Sequence, residues 1–326
     1  MQSIIGLHSH VFLAPMAGIT DRPMREIVHS KGEGNLYSEM VAINAVQYRN
    51  PKSYRIADVR DEKYPVIVQL VGNDENLFAE AAKLVADLGA YSLDINMGCP
   101  VKKIVNNQSG SYLMKNIDKA AKIIEKTVKA TNLKISVKFR KGWDANSVNA
   151  VDFAKMCENA GASYITVHGR TKSQMYSGKA DWDIIKEVKE NVKIPVVGNG
   201  DINSVQKAKD MLAYTGADGV MIARGALGNP WLISNIHNTL KNKDIIEYKP
   251  NINELKSTLK LHIEKLMEYY GEKLGISVSR KYICWYSKNL RDAKKFREQY
   301  MKIDNYNDSV QAVEEFFKAE NLGETI

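Results

Sequence analysis

The feature that most constrains the fold is a regular alternation of short β-rich runs with amphipathic helical stretches, from the N-terminus to about residue 240. This rhythm is typical of βαβ units, in which helices join parallel strands. Midpoints of successive runs lie roughly 25 to 45 residues apart, as in an eightfold barrel with one or two enlarged loops. The sequence therefore predicts an α/β fold, a (β/α)8 TIM barrel that closes near Asn238. The predicted strands are Val11–Pro15, Asn35–Met40, Pro65–Val71, Tyr91–Asn96, Lys134–Phe139, Ser163–His168, Ile194–Gly198 and Asp218–Arg224.

Helix signals between these runs agree with the barrel. Apolar residues recur at three- and four-residue spacing in Asn76–Leu88 and Ala120–Ala130, and Asp181-Trp182 and Asn203-Ser204 are typical helix starts. Glycine also ends three helical stretches directly before a strand. These endings are Leu88-Gly89-Ala90, Ala160-Gly161-Ala162 and Thr215-Gly216-Ala217.

The pattern changes after residue 240 to a stretch rich in Leu, Lys, Glu and Tyr without clear strands. We predict two domains, the barrel at residues 1–243 and a smaller all-helical domain at residues 244–326. Lysines and arginines alternate with aromatic residues there, which fits either a solvated helix face or a surface that contacts phosphates. These residues are Arg280, Lys281, Tyr282, Trp285, Tyr286, Lys288, Arg291, Lys294, Lys295, Phe296 and Arg297.

Composition narrows the class of protein. A net charge of +8 and a pI near 9.1 favour a polyanionic partner such as nucleic acid. Cys99, Cys157 and Cys284 are widely spaced, which argues against a disulfide framework or a metal site and predicts three free thiols. The sequence has no apolar run long enough for a membrane span, and its N-terminus does not show the pattern of a secretory signal. We expect a monomer in the cytoplasm.

Side-chain parity predicts which polar groups point into the barrel. Alternate residues of a barrel strand face the helices and the interior. Ile135, Val137 and Phe139 are apolar, so Lys138 between them should point inward. The same argument turns the polar side chains of three other strands inward. These are Gln69, Asp94, Asn96, Thr166 and His168.

A buried lysine and histidine near the C-terminal rim are costly unless partnered, and a bound anion would supply a partner. The alternative is structural: an ion pair for Lys138, a satisfied core histidine for His168, and core hydrogen bonding for Gln69 and Asn96. Two glycine-rich turns follow the last two strands, Gly198-Asn199-Gly200-Asp201 and Arg224-Gly225-Ala226-Leu227-Gly228. Loops at these positions commonly hold a phosphate, because glycine lets backbone N–H groups approach it.

The motifs together resemble the tRNA-dihydrouridine synthases, in particular the bacterial B-type branch, over roughly residues 10 to 295. The Asn-Met-Gly-Cys-Pro segment is the most specific of them. The matching segments are Ala14–Asp21, Gln69–Gly72, Asp94–Pro100, Val137–Arg140, Thr166–Thr171, Gly198–Ile202, Ala223–Ala226 and Arg280–Tyr286. Ala223 departs from the pattern, since many relatives carry glycine there.

The resemblance implies FMN as cofactor, reduced by NADPH or NADH, and tRNA as substrate. It places Pro15, Met16 and Ala17 against the flavin, and Gln69 and Lys138 on its ring. The phosphate end would be held by His168, Asn199, Gly200, Asp201, Ala223 and Arg224. Asn96 and Arg170 would lie near the substrate base, and Arg280 and Lys281 in the RNA-binding tail.

The implied reaction reduces the C5–C6 double bond of uridines in the D arm of tRNA to 5,6-dihydrouridine. A side chain cannot donate hydride, so the cofactor must supply it at C6. Cys99 follows the fourth strand on a turn and would donate the proton to C5. A free thiol has an ordinary pKa near 8.5 and is mostly protonated at neutral pH, which suits a general acid.

Two other functions fit parts of the sequence. An FMN barrel that acts on a small metabolite, similar to dihydroorotate dehydrogenase, would not need the basic tail. A non-enzymatic RNA-binding protein on a degenerate barrel would bind no flavin, although the intact Cys99, Lys138 and His168 argue against degeneration.

Overall fold

The computed structural model describes residues 4–245 and 247–323. Within them, eight parallel strands form a closed barrel in sequence order, and β8 pairs with β1 to close the ring. This confirms the predicted TIM barrel. The strands are β1 (Val11–Leu13), β2 (Asn35–Ala42), β3 (Val66–Val71), β4 (Ser92–Met97), β5 (Lys134–Arg140), β6 (Tyr164–His168), β7 (Val196–Asn199) and β8 (Gly219–Ile222).

All eight predicted runs contain a strand, but several ends were wrong by one or two residues. β1 stops before Pro15, and β3 and β7 begin after Pro65 and Pro195, because proline cannot donate a hydrogen bond to the ladder. β8 ends at Ile222 since Arg224 already belongs to a short 3-10 helix, Arg224–Ala226.

Helices cover the outside of the barrel and begin where the sequence supplies caps. Asp74 accepts hydrogen bonds from the N–H groups of Asn76 and Leu77, and Ser204 accepts one from that of Lys207. Gly216 ends α9 in the left-handed conformation, with φ +67°. The helices up to this point are α1 (Arg22–Ser30), α2 (Ile43–Gln47), α3 (Pro51–Ala57), α4 (Glu75–Asp87), α5 (Lys102–Asn106), α6 (Ile117–Ala130), α7 (Ala150–Asn159), α8 (Asp183–Asn191) and α9 (Val205–Thr215).

The chain continues with α10 (Trp231–Asn242), α11 (Ile252–Tyr270), α12 (Glu272–Tyr286), α13 (Ala293–Tyr300) and α14 (Tyr306–Gly323). The last four form the helical region that the sequence predicts, and α11 packs against α1 of the barrel. Phe296 and Phe316 stack in its interior with ring centroids 4.0 Å apart. The predicted domain boundary after residue 243 lies in the connection between α10 and α11.

Side-chain parity divides the barrel strands as predicted. Ile135, Val137 and Phe139 are buried with the residues that pack the strands against the helices. The lower interior is filled by a separate apolar group that includes Phe12, Tyr37 and Tyr164. Because this group fills the lower interior, the polar side chains above it are left at the C-terminal mouth.

Candidate active site at the barrel mouth

A cavity of about 1930 Å³ opens at the C-terminal ends of the strands. Its lining brings together residues from all eight strands or the loops that follow them, as the sequence predicts for the barrel part of the site. The predicted residues that line it are Pro15, Met16, Ala17, Gln69, Asn96, Cys99, Lys138, His168, Arg170, Asn199, Gly200, Asp201, Ala223 and Arg224.

On the β3–β5 side of the mouth, two carboxamides, a carboxyl group and a hydroxyl group are joined in a chain of hydrogen bonds. Nδ2 of Asn96 donates to Oε1 of Gln69 at 2.8 Å, and Nε2 of Gln69 donates to Oδ2 of Asp94 at 2.7 Å. The hydroxyl of Ser136 donates to the other Asp94 oxygen at 2.6 Å. Burial raises the pKa of Asp94 to about 6, although these hydrogen bonds oppose the shift. The network fixes the orientation of both carboxamides at the cavity wall.

Cys99 lies on the turn after β4, and two contacts fix that turn. Oδ1 of Asn96 accepts hydrogen bonds from the N–H groups of Gly98 and Cys99 at 3.1 and 2.9 Å. Nε of Arg140 donates to the Gly98 carbonyl at 2.8 Å. Burial raises the pKa of the Cys99 thiol, while the cations of Arg140 and Lys138 lower it by less. The thiol therefore keeps its proton at neutral pH.

Lys138 points into the mouth from β5. Its Nζ donates to Oδ1 of Asn199 at 3.2 Å, and Nδ2 of Asn199 is anchored on the Met221 carbonyl at 2.8 Å. Burial, assisted by the nearby Arg140 cation, lowers the pKa of Lys138 to about 8. An ammonium in this position is stabilised by an added anion.

The β6–β8 side of the mouth is rich in cations. Arg170 is buried and binds Asp201, with Nη2 2.8 Å from each carboxylate oxygen. Arg224 is exposed and reaches the same carboxylate at 3.5 Å. Burial and the surrounding cations lower the pKa of His168, so its imidazole is neutral. Positive charge exceeds negative charge on this side.

The loop that carries Asp201 is shaped by close contacts. Asp201 Oδ2 accepts a hydrogen bond from the N–H of Ala180 at 2.7 Å. Gly200 has φ +140°, and a Cβ on it would lie 2.4 Å from that of Ala180. Burial would raise the pKa of the Asp201 carboxyl, but the Ala180 N–H and the two arginines outweigh burial and hold it below its usual value.

Arg280 and Lys281, predicted to contact RNA, do not line the cavity as the structure describes it. Arg280 donates to the Ile303 carbonyl at 3.1 Å, and Lys281 donates to the carbonyl of Gly18 in the loop after β1. Tyr282 binds the next carbonyl of that loop, Ile19, at 2.9 Å. The helical region thus holds the loop that contains Pro15, Met16 and Ala17.

Sequence reasoning did not assign Arg140 or Asp94 to the site, although it placed Asp94 on the inward face. Besides Gly98, Arg140 binds the carbonyls of Thr171 and Met175 at 3.0 and 2.8 Å, so it ties the loops after β4 and β6 to the end of β5. The signal was available, because parity turns Arg140 inward together with Lys138. Contacts between loops, which define its role, cannot be obtained from parity.

Two further observations concern the described residues. They contain no helix with the length and apolar character needed to cross a membrane. Across residues 4–245 and 247–323, no group of three or more His, Cys, Asp or Glu side chains is arranged to hold a metal ion.

Comparison with known proteins finds one matching family model and several similar proteins. The family model described as dihydrouridine synthase matches residues 12–321. A probable tRNA-dihydrouridine synthase of Rickettsia conorii is 48% identical over 294 residues, which cover 90% of this chain and 88% of the relative. tRNA-dihydrouridine synthase B of Vibrio vulnificus is 41% identical over 311 residues, which cover 95% and 96% of the two chains.

Solved structures agree on the fold. Histamine dehydrogenase from Rhizobium sp. 4-9 superposes with a TM-score of 0.58 at 14% identity, covering 79% of this chain and 49% of that one. A variant of NCR from Zymomonas mobilis gives a TM-score of 0.52 at 16% identity, covering 78% and 96%. At such low identity the likeness extends to the fold alone.

Proposed function

The chain belongs to the dihydrouridine synthase family, and we propose that it reduces uridines in the D arm of tRNA to 5,6-dihydrouridine. FMN is the proposed cofactor, and NADPH or NADH the reductant. The observation that carries the proposal is the meeting of a protonated Cys99 thiol and the Lys138 ammonium at one cavity. The reaction needs a proton donor and a site for a negatively charged ring, and these two groups meet those needs.

The residues of the mouth fit FMN. Nη1 of Arg170 is buried without a hydrogen-bond partner among the described residues, and Arg224 reaches Asp201 only at the 3.5 Å limit. Arg224 keeps N–H donors for a phosphate, and Nη1 of Arg170 remains available to an acceptor on a bound ligand. Gly200 and Gly225 bring the backbone of their loops to the cavity wall. In the proposal, His168, Asn199, Gly200, Asp201, Ala223 and Arg224 hold the phosphate end, with Asp201 acting by orienting the arginines.

The flavin ring would lie on the β3–β5 side of the mouth. Pro15, Met16 and Ala17 provide the surface against which the ring packs, and Gln69 donates or accepts hydrogen bonds at its edge. Lys138 stabilises negative charge on the ring. When bound, FMN supplies the hydride for C6 of uridine, which side chains cannot provide.

Cys99 then delivers the proton to C5 of the base. The S–H bond breaks as the C5–H bond forms, which leaves a thiolate close to Arg140 and Lys138. Both cations favour the thiolate, and they also lower the thiol pKa against the effect of burial. Reprotonation from solvent restores the acid. Asn96, which orients the Cys99 turn, and Arg170 are the proposed neighbours of the substrate base.

Recognition of tRNA follows from charge and shape. The target base must leave its stack to reach a cavity inside a barrel, at a cost of a few kcal/mol. Contacts between basic residues and backbone phosphates offset that cost. We assign this role to the helical region, where Lys288, Arg291, Lys294 and Lys295 are exposed. Arg280 and Lys281, which the resemblance places in the RNA-binding tail, already donate to backbone carbonyls of the protein. We also propose that the protein acts as a monomer in the cytoplasm.

The test is reconstitution with purified protein. Flavin absorbance that mass spectrometry identifies as FMN, and formation of dihydrouridine in unmodified tRNA with NADPH, are the expected results. A colourless protein would instead favour an RNA-binding protein without catalysis. A yellow protein that oxidises NADPH but leaves tRNA unchanged would favour an FMN barrel acting on a small metabolite.

A further inference from the structure

A cluster of two aromatic rings and two lysines lies outside the cavity at the same end of the barrel. Nζ of Lys172 is 4.4 Å and Nζ of Lys115 is 4.7 Å from the centroid of the Trp143 ring. Tyr112 packs edge-on against Trp143, with ring centroids 6.2 Å apart and planes at 86°. We call these four residues the Trp143 cluster.

The two ammonium groups of the Trp143 cluster carry uncompensated charge. Neither Lys115 nor Lys172 forms a salt bridge in the part of the chain that the structure describes. The nearest acidic residue in sequence to Trp143, Asp144, uses its Oδ1 to accept hydrogen bonds from Asn146 and Ser147 at 3.0 and 2.9 Å. Contact with the ring faces attracts each cation but leaves its N–H donors free. The two ammonium groups at one indole are therefore available to bind an anion.

Hydrogen bonds between two loops fix the backbone that carries Trp143. The N–H groups of Lys172 and Ser173 donate to the carbonyls of Gly142 and Trp143, each at 2.9 Å, which ties the loop after β6 to the loop after β5. Gly142 also pairs with Val148, and a Cβ on Gly142 would lie 2.3 Å from the Ser147 carbonyl oxygen. The chain thus holds the indole in place before any ligand binds, which reduces the entropy lost on binding.

The position of the Trp143 cluster relates it to the rest of the mouth. Its members come from segments that follow β4, β5 and β6, at the C-terminal ends of these strands. The helical region attaches on the other side, through Lys281 to the loop after β1 and through Trp285 beside Gly228, which follows β8. In a ring of eight strands in sequence order, β5 lies opposite β1. A polyanion held by the helical region and laid across the mouth would reach the Trp143 cluster.

We propose that the Trp143 cluster binds a backbone phosphate of the tRNA and so holds the RNA on the side of the mouth opposite the helical region. The inference rests on the proposed function, since it needs tRNA at the mouth. The Trp143 cluster would be a second point of contact with the RNA, in addition to the helical region. The tRNA would then be held on both sides of the cavity that its target base enters.

The experiment measures tRNA affinity of the FMN-loaded protein as a function of salt for Lys115→Gln/Lys172→Gln. The matched control is Lys122→Gln/Lys129→Gln, which removes two exposed charges from α6 on the outer wall. We expect the Lys115→Gln/Lys172→Gln variant to bind tRNA about tenfold more weakly near physiological salt. The slope of log affinity against log salt concentration should decrease in magnitude by up to about 2. The control should retain the wild-type slope. Trp143→Leu should weaken binding in the same direction as the cluster variant, while Trp143→Phe should retain most of the affinity.

A second arm separates RNA phosphate from the phosphates of the nicotinamide nucleotide. NADPH oxidation in the absence of tRNA should keep its KM and rate in the cluster variant. Unchanged tRNA affinity and slope, equal losses in variant and control, or a raised KM for NADPH would each overturn the proposal. Failure of the proposed function would be seen differently, since wild-type protein would then form no dihydrouridine.

Discussion

The two sides of the barrel mouth differ in how their polar and charged side chains are paired. On the β3–β5 side, Gln69, Asn96 and Asp94 satisfy one another, and Cys99 keeps its proton. On the β6–β8 side, Arg170 and Arg224 share the single carboxylate of Asp201. One side is suited to hold an uncharged ring edge by directed hydrogen bonds, and the other to hold an anion. In the proposed reaction, chemistry and anchoring are therefore separated across the mouth, with Lys138 between them.

The largest expected effect is on the β3–β5 side, where loss of the Cys99 thiol should abolish most of the turnover. Cys99→Ala should lower uridine reduction by about 100-fold or more, because a positioned general acid typically contributes at least that much. FMN content and its reduction by NADPH should stay at wild-type values, which single-turnover absorbance measurements can check. Cys284→Ala is the matched control and should leave turnover intact. Equal turnover in Cys99→Ala would remove Cys99 from the reaction.

The cationic side should show its role in stability and cofactor retention. Asp201→Asn leaves the buried Arg170 without its carboxylate, and we expect a loss of about 2 kcal/mol in the free energy of unfolding, since the pair is partly open to solvent. FMN should also be retained less well. Asp87→Asn, at an exposed position on α4, is the control for removing one charge.

The pH dependence gives Asp201 a second signature. Its carboxyl pKa is lower in the folded protein than in the unfolded chain, so its contribution is complete above the ordinary pKa near 3.9. The contribution is lost as the pH falls through the lowered value. Urea titrations at several acidic pH values should show this loss in the wild type but not in Asp201→Asn. Parallel curves would contradict the assignment.

Lys138 predicts two pH effects of opposite sign. Its pKa falls to about 8 in the folded protein, so the unfolded chain binds more protons between pH 8 and the ordinary lysine value of about 10.4. Stability of the FMN-free protein should therefore gain from this group as the pH rises through that window. FMN affinity should fall by up to about tenfold per pH unit above 8 as the ammonium is lost. Lys138→Met should show neither effect when stability and FMN affinity are measured by calorimetry. Equal pH profiles for the wild type and Lys138→Met would exclude the proposed role of Lys138.

Sequence patterns predicted the parts of the molecule that repeat. The alternation of strands and helices predicted the barrel, and parity predicted the inward direction of Lys138, His168 and Gln69, because both depend on local periodicity. The bond between Arg170 and Asp201 and the Trp143 cluster were not predicted. They join residues from different loops, and loop conformation depends on glycine geometry and cross-loop hydrogen bonds that leave no periodic signal.

The tail shows the same limit in another form. A stretch rich in Leu, Lys, Glu and Tyr without clear strands predicted a helical region, and helices α11 to α14 form it. The pattern did not indicate that Lys281 and Tyr282 bind the loop after β1. Such contacts depend on how the helices pack against the barrel, and a charge pattern fits a packed face as well as a solvated one.

Mass mapping of dihydrouridine in tRNA from cells that lack this protein tests whether this chain reduces D-arm uridines. The account predicts that at least one D-arm uridine stays unreduced, that the wild-type chain restores its reduction, and that Cys99→Ala does not. An unchanged dihydrouridine pattern in the deleted cells, or full restoration by Cys99→Ala, would contradict it.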